Sequence, residues 1–219
     1  GREAVVHCAA LSAPWGAASE FESINLLGTQ HVVDACRAAG ARRLVHVSTP
    51  GIYFGFRDRH GVRETDALPR RPANHYVRSK LAAEKLVERA HSEGLSTVTL
   101  RPRAIYGPGD TAILPRLIGA LEAKRLVRIG RGRTVTDLTY IENAVEALVL
   151  ALDAPEDVSG RAFNITDGEP IELWPFVDQL CALLELQPPS RSVPYGVAAS
   201  YATLLEILHR TLLRGREPM

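Results

Sequence analysis

Cysteine is scarce in this 219-residue chain. Its three thiols, Cys8, Cys36 and Cys181, lie far apart and show no CxxC spacing. That argues against a disulfide framework or a zinc site, so no metal is expected, and it reads as reduced, mostly buried thiols of a cytoplasmic protein. No apolar run reaches the ~18 residues that a spanning helix needs. An excess of one charge is missing as well: 26 Lys and Arg stand against 25 Asp and Glu, a net charge of +1. A dedicated nucleic-acid binder usually carries a basic excess, so no nucleic-acid partner is expected. There is no internal repeat, no low-complexity tract and no visible signal peptide. The last absence carries little weight, because the chain opens on Gly1-Arg2-Glu3-Ala4-Val5-Val6-His7, where a strand begins at once.

What is present is the alternation of a layered α/β domain. Hydrophobic residues make up 46% of the chain, enough to fill a core. Apolar strands are expected at 4–10, 42–49 and 96–105, the last interrupted by Pro102. Helical periodicity covers 17–39, with Ile24, Leu27, His31, Val32 and Ala35 on one stripe, and 74–92. A polar, Pro-, Gly- and Arg-rich loop fills 55–74. Further on, helices are expected at 111–123, 141–153, 170–185 and 195–213, with strands at 126–129, 134–140 and 161–166. Strands alternating with helices imply a parallel sheet covered on both faces. Residues 1–110 read as a dinucleotide-binding domain. Residues 111–219 read as a smaller substrate lobe, with about 134–166 returning to the core.

The chemistry centres on Tyr76-Val77-Arg78-Ser79-Lys80. Tyr and Lys at i and i+4 share one helix face. An ammonium beside a phenol favours the phenolate and tunes it toward the working pH, which makes an acid/base. Alone the pair is also what a solvated helix face looks like. About 27 residues upstream, however, the second strand ends in Ser48-Thr49, at the carboxyl edge where parallel sheets bind ligands. A turn or a helix cap is the plain alternative for these two hydroxyls.

The order Ser48-Thr49 … Tyr76-x-x-x-Lys80 resembles the extended short-chain dehydrogenase/reductase superfamily. His7-Cys8-Ala9-Ala10, Asn25-Leu26-Leu27-Gly28-Thr29, Arg101-Pro102-Arg103-Ala104-Ile105-Tyr106-Gly107-Pro108-Gly109 and Thr136-Asp137-Leu138-Thr139-Tyr140-Ile141-Glu142-Asn143-Ala144 are similar to further motifs of it, in the same order. Ser48 to Phe54, the loop Arg63 to Pro69, and Val193-Pro194-Tyr195 look like its 3β-hydroxysteroid dehydrogenase-like branch. Within that branch the likeness is strongest to bacterial 2-alkyl-3-oxoalkanoate reductases.

The resemblance implies a Rossmann-like, doubly wound parallel sheet and an NAD(P)-dependent oxidoreductase that acts on a ketone or alcohol. Tyr76 would be the acid/base, Lys80 would hold the nicotinamide ribose, and Thr49, with Ser48 beside it, would supply the hydroxyl. Asn25 would support the site or simply bond a neighbouring loop. Ala9, Ala10 and Ser12 would touch NAD or NADP, and Pro102 and Ile105 would flank the nicotinamide. Tyr106, Arg133 and Tyr140 would line the pocket of a small hydrophobic β-keto, β-hydroxy or sterol-like substrate. A nucleotide-sugar epimerase or dehydratase on the same scaffold is the alternative, although Pro50-Gly51 stands where dehydratases place acidic residues. A non-catalytic dinucleotide-binding protein is the third reading, opposed by the intact Thr49, Tyr76 and Lys80. A homodimer stays open.

The family's glycine-rich turn after the first strand is not found. Gly107-Pro108-Gly109 and Gly130-Arg131-Gly132 read as ordinary turns. By usual βαβ lengths, about 60–70 residues would precede this chain. The expectation is therefore an N-terminally truncated fragment whose sheet lacks its first strands. It would bind cofactor weakly, tend to aggregate and hide its NAD-versus-NADP preference. The 195–213 helix, with Val197, Tyr201, Leu204, Leu205, Leu208 and Leu212 on one stripe, would pack on the second lobe, with membrane-peripheral contact as the other reading.

Overall fold

A computed structural model describes residues 4–13, 15–55, 58–130 and 134–212, with side chains to residue 205. In chain order, β1 (Ala4–His7) leads to α1 (Ala18–Phe21), a π-helical segment (Glu22–Leu27) and α2 (Gly28–Ala38). Then come β2 (Arg43–Val47), a 3-10 turn (Pro50–Tyr53), α3 (His75–Ser92) and β3 (Ser96–Pro102). They are followed by β4 (Ile105–Tyr106), α4 (Leu114–Glu122), β5 (Arg128–Ile129), β6 (Val135–Thr136), β7 (Thr139–Tyr140) and α5 (Ile141–Asp153). The chain continues through β8 (Ala162–Ile165), β9 (Ile171–Glu172), α6 (Leu173–Leu183), β10 (Ser192–Val193) and α7 (Tyr195–Leu212).

The chain divides into two compact units, Gly1–Arg103 with Glu142–Ile165, and Ala104–Ile141 with Thr166–Met219. The first holds a parallel sheet in the order β1-β2-β3-β8. Strand alternation sends its side chains to two different cores. Leu44 packs with Val33, Cys36, Val87 and Ala90 of α2 and α3. Val45, the next residue, packs with Val98, Leu100 and Ala151 on the α5 side. Helices therefore cover both faces of the sheet, and β2 is buried along its length.

The face under α2 and α3 changes character along the strands. It is apolar at Leu44, while His46, its register partner Thr99, and Arg101 are buried polar groups nearer the carboxyl edge. On the opposite face Arg43 is fully buried. Its guanidinium donates to the carbonyls of Ala151, Leu152 and Ala154 at the end of α5. It also donates to Ser96 Oγ and to Glu156.

Two local features differ from the sequence expectation. The 17–39 helix is one helical run, but its Glu22–Leu27 portion is π-helical, a distortion that periodicity does not signal and that often marks functional sites. The expected 96–105 strand stops at Pro102, whose ring leaves no N–H for a ladder, and Ala104 then adopts φ 45. The 55–74 loop is irregular as expected, and its described part is tethered. Arg59 reaches the Tyr53 and Ala67 carbonyls and the Asp66 carboxylate, while Glu64 accepts from the Asn164 amide of β8.

In the second unit, Leu121 of α4 packs with Trp174, Val177 and Cys181 of α6. β4 pairs with β7, β6 with β9, and β5 with β10. Along α7, Val197, Tyr201 and Leu204 are exposed rather than packed. Among the described residues no helix is long and apolar enough to cross a membrane, and no cluster of His, Cys, Asp or Glu could hold a metal. Cys36 and Cys181 are buried, and Cys8 is exposed.

Candidate active site

Helix α3 brings the acid/base pair to the sheet. Asn74 starts it, its side chain accepting from Val77 N at 2.9 Å, as an N-cap does. From there the buried positions Val77, Lys80, Ala83, Glu84, Val87 and Ala90 follow helical spacing. Lys80 thus lies on the face that packs on the sheet. It is 3% exposed, and its Nζ donates to the carbonyl of Val47, the last residue of β2, at 2.7 Å. Burial lowers its pKa to about 8, opposed by the charge of Glu84 and by Cys8. An ammonium has three donors, and this is its only hydrogen bond among the described residues.

Tyr76 sits one turn earlier and is partly exposed. Its ring packs against Ile52, Tyr53 and Val77 and lies 6.4 Å from the Phe21 ring, centroid to centroid. The Thr49 turn meets the same helix. Thr49 Oγ1 accepts from Gly51 N at 3.1 Å, capping the 3-10 turn. A Cβ added at Gly51 would stand 3.2 Å from Thr49 Oγ1 and 3.5 Å from Val77 Cγ2. The missing side chain is what lets the hydroxyl turn approach α3. Ser48 is buried, and its Oγ has no hydrogen-bond partner among the described residues.

Asn25 does more than bond a loop. Its Oδ1 accepts from Leu11 N at 2.7 Å, while its Nδ2 donates to Leu11 O at 3.1 Å and to Ser79 Oγ at 2.9 Å. Ser79 in turn donates to the Tyr76 carbonyl. The π-helical segment thereby ties the loop after β1 to the helix that carries Tyr76 and Lys80. Thr29 donates to the Asn25 carbonyl at 2.6 Å, so its oxygen accepts from His7 Nε2 at 2.9 Å. His7 and His46 are register partners with ring centroids 5.4 Å apart. Burial, then the nearby Lys80 charge, holds both imidazoles below their ordinary pKa, His46 well below. Neither ring nitrogen of His46 has a hydrogen-bond partner among the described residues.

Ala9 and Ser12 are exposed and Ala10 is half-buried in the loop after β1, at the carboxyl edge of the sheet. Pro102 is half-buried at the end of β3. The other expected residues lie in the second unit. Ile105 and Tyr106 form β4, which pairs with Thr139 and Tyr140 of β7. The two tyrosine rings are 5.5 Å apart. Burial, with the Asp167 carboxylate beside it, raises the Tyr106 phenol, which hydrogen-bonds that carboxylate. Arg133 lies outside the described residues.

Sequence reasoning missed a buried ion pair behind the site. Arg101 meets both oxygens of Glu84, at 3.0 and 2.6 Å, and donates from its other nitrogen to the Tyr53 hydroxyl. The signal was legible: a charged residue on the core-facing stripe of α3, and an arginine inside an apolar strand.

Residues 1–195 match the profile of the 3-beta hydroxysteroid dehydrogenase/isomerase family. The chain belongs to that family. It is 37% identical over 213 residues to the 4-hydroxy-2-methyl-3-oxo-4-farnesyl-3,4-dihydroquinoline-1-oxide ketoreductase of Stigmatella aurantiaca, covering 97% of this chain and 63% of that one. It is 31% identical over 230 residues to the 2-alkyl-3-oxoalkanoate reductase of Shewanella oneidensis, covering 100% and 59%. The UDP-glucuronic acid 4-epimerase of Bacillus cereus, solved with NAD, superposes with a TM-score of 0.75 at 25% identity, over 88% of this chain and 63% of that one. The chain thus spans about three fifths of the length of these relatives. The parallel sheet with helices on both faces is the Rossmann-like arrangement of this family.

Proposed function

We propose that this family member is an NAD(P)-dependent ketoreductase acting on a small hydrophobic β-keto or sterol-like substrate. The observation that carries this reading is the buried Lys80 ammonium. It is held at the carboxyl edge of β2 with two donors uncommitted among the described residues, on the helix that bears Tyr76 and meets the Thr49 turn. Buried cations are costly, and one with spare donors beside exposed small residues suits a diol and phosphate ligand. Lys80 would hold the ribose of the cofactor, and Ala9, Ala10 and Ser12 would border it. Pro102, at the end of β3, would border the nicotinamide ring.

When bound, the cofactor supplies the hydride that reduces the carbonyl carbon. Tyr76 gives its phenolic proton to the carbonyl oxygen as charge develops there, completing the alcohol. The Thr49 hydroxyl accepts from Gly51 N, so its own hydrogen remains to donate to the same oxygen. Asn25 and Ser79 keep the helix in place beneath these groups. The rings of Tyr106 and Tyr140 would form part of the substrate wall.

The ketoreductase and oxoalkanoate reductase relatives support a ketone substrate. The likeness to a nucleotide-sugar epimerase supports a sugar-nucleotide substrate on the same site, but the Pro50–Tyr53 turn after Thr49 carries no acidic residue. A direct test compares the protein with its Tyr76→Phe variant, following NADPH oxidation with a 2-alkyl-3-oxoalkanoate. Turnover is expected to fall by about 10²–10⁴-fold while cofactor affinity is retained. Equal turnover in the two proteins would end this assignment. Turnover of a UDP-sugar but not of the ketone would favour the epimerase chemistry.

A further inference from the structure

The face of α3 that packs on the sheet carries two charges where a helix of this kind carries apolar groups. Lys80 and Glu84 are one turn apart, and both are buried. Arg101 grips both oxygens of Glu84. Its remaining nitrogen donates to Tyr53, whose ring centroid is 5.3 Å from the guanidinium carbon. Tyr53 closes the 3-10 turn that Thr49 caps. A continuous chain of contacts therefore runs from the Thr49 turn through Tyr53, Arg101 and Glu84 to the helix turn bearing Lys80.

A buried ion pair is weak support for stability, because desolvation offsets most of its attraction. The surroundings of Lys80 supply a different reason for this one. His7 and Cys8 face it from β1 and the residue after, His46 from β2, and Glu84 from its own helix. Both histidines are held toward their neutral forms, and burial raises the Cys8 thiol. Glu84 is the one standing anion among these groups.

We propose that Glu84 is a positioning residue for Lys80: clamped by Arg101 and Tyr53, its carboxylate keeps the buried ammonium charged and couples it to the Thr49 turn. The proposal rests on Lys80 being the cation of the reductase site, but its test needs neither substrate nor cofactor. The chain has three lysines, Lys80, Lys85 and Lys124, and the latter two are exposed. A lysine-labelled NMR titration therefore isolates the buried one.

In Glu84→Gln the Lys80 midpoint is expected to move down by on the order of one pH unit. Glu84→Asp, which keeps the anion, should recover part of that shift. An unmoved midpoint in folded Glu84→Gln overturns the proposal. Leaving Arg101 buried without its partner can unfold the chain. The paired variant Glu84→Gln/Arg101→Gln leaves no such charge and must also lower the midpoint, an unchanged value counting equally against the idea. Val98→Ala loosens the opposite core without removing a charge. Its Lys80 midpoint should stay in place, and a shift as large as that of Glu84→Gln would reduce the effect to instability and overturn the proposal. Failure of these titrations leaves the ketoreductase reading standing, whereas an inactive protein with the expected titrations removes that reading alone.

Discussion

Lys80 Nζ donates to the carbonyl of Val47, 2.7 Å away at the end of β2, its one hydrogen bond among the described residues. The bond fixes where the ammonium sits, yet burial still lowers its pKa from 10.5 to about 8. Below about pH 8 both folded and unfolded chains hold this proton, and the cost of burying the charge is fully present. Between about 8 and 10.5 the unfolded chain keeps a proton that the folded chain has released, so stability rises with pH. A Lys80→Met chain should therefore withstand urea at least as well as the unaltered chain near neutral pH, and should lack the alkaline gain. Urea midpoints measured at neutral and alkaline pH decide this. A Met chain clearly weaker at neutral pH would mean that the ammonium is kept for stability rather than for a ligand.

Asn25 joins three elements through one amide. Truncation to alanine leaves the Leu11 N–H and C=O and the Ser79 hydroxyl short of their partner in a site that is 1% exposed. The expected loss is about 1–3 kcal/mol. Amide exchange should accelerate at Leu11 before it does in the strands, because the loop after β1 is what the side chain holds. Ser79→Ala should cost less, about 1 kcal/mol, since Asn25 keeps both bonds to Leu11. Equal losses in the two variants would show that the amide acts on α3 alone.

Much of this arrangement is written in local patterns. The 3.6-residue periodicity of α3 and the strand positions of β2 and β3 survive in the structure because packing on a two-sided sheet rewards them. Thr49, Tyr76 and Lys80 could be placed because a strand end and a helix face are both short-range features. The roles of Asn25 and Glu84 depend on residues 14–54 positions away or on a distortion of the backbone. The π-helical segment turns Asn25 toward Leu11 and Ser79, and no spacing rule foretells such a segment. Glu84 is visible as a charge on the core-facing stripe of α3, but its partner Arg101 arrives from β3, and no local pattern pairs the two. Of the two readings of Thr49, the structure shows the cap: its oxygen accepts from Gly51 N at the start of the Pro50–Tyr53 turn.

Arg43 offers a test of the scaffold away from the site. Its guanidinium is fully buried and supplies donors to three carbonyls at the end of α5, where the helix dipole favours a cation. Arg43→Met keeps much of the volume but strips those carbonyls of their donors. The expected loss is about 2–4 kcal/mol. Arg43→Lys should recover only part, because an ammonium cannot fork across several acceptors. Glu156, its exposed ionic partner, should matter far less, with Glu156→Gln costing under about 1 kcal/mol. Thermal or urea unfolding of the three variants gives the order directly. A Glu156 effect matching that of Arg43 would shift the weight from the helix carbonyls to the ion pair.

Acid should weaken the fold through the two neighbouring imidazoles of His7 and His46. Burial, then the Lys80 charge, depresses both His7 and His46 below 6.5, and His46 additionally feels His7. Between the depressed folded values and 6.5 the unfolded chain binds protons that the folded chain refuses. Stability present above about pH 6.5 is therefore lost as the pH falls. His46 should dominate: it is fully buried, and neither of its nitrogens has an acceptor for a second proton. His46→Leu removes the group that must be charged and should flatten the decline in urea midpoint between neutral and mildly acidic pH. His7→Gln should flatten it less, because His7 is less strongly perturbed and gives up its bond to Thr29. If the acid slope is the same with leucine at position 46, the neutral imidazole is not what the folded chain protects there.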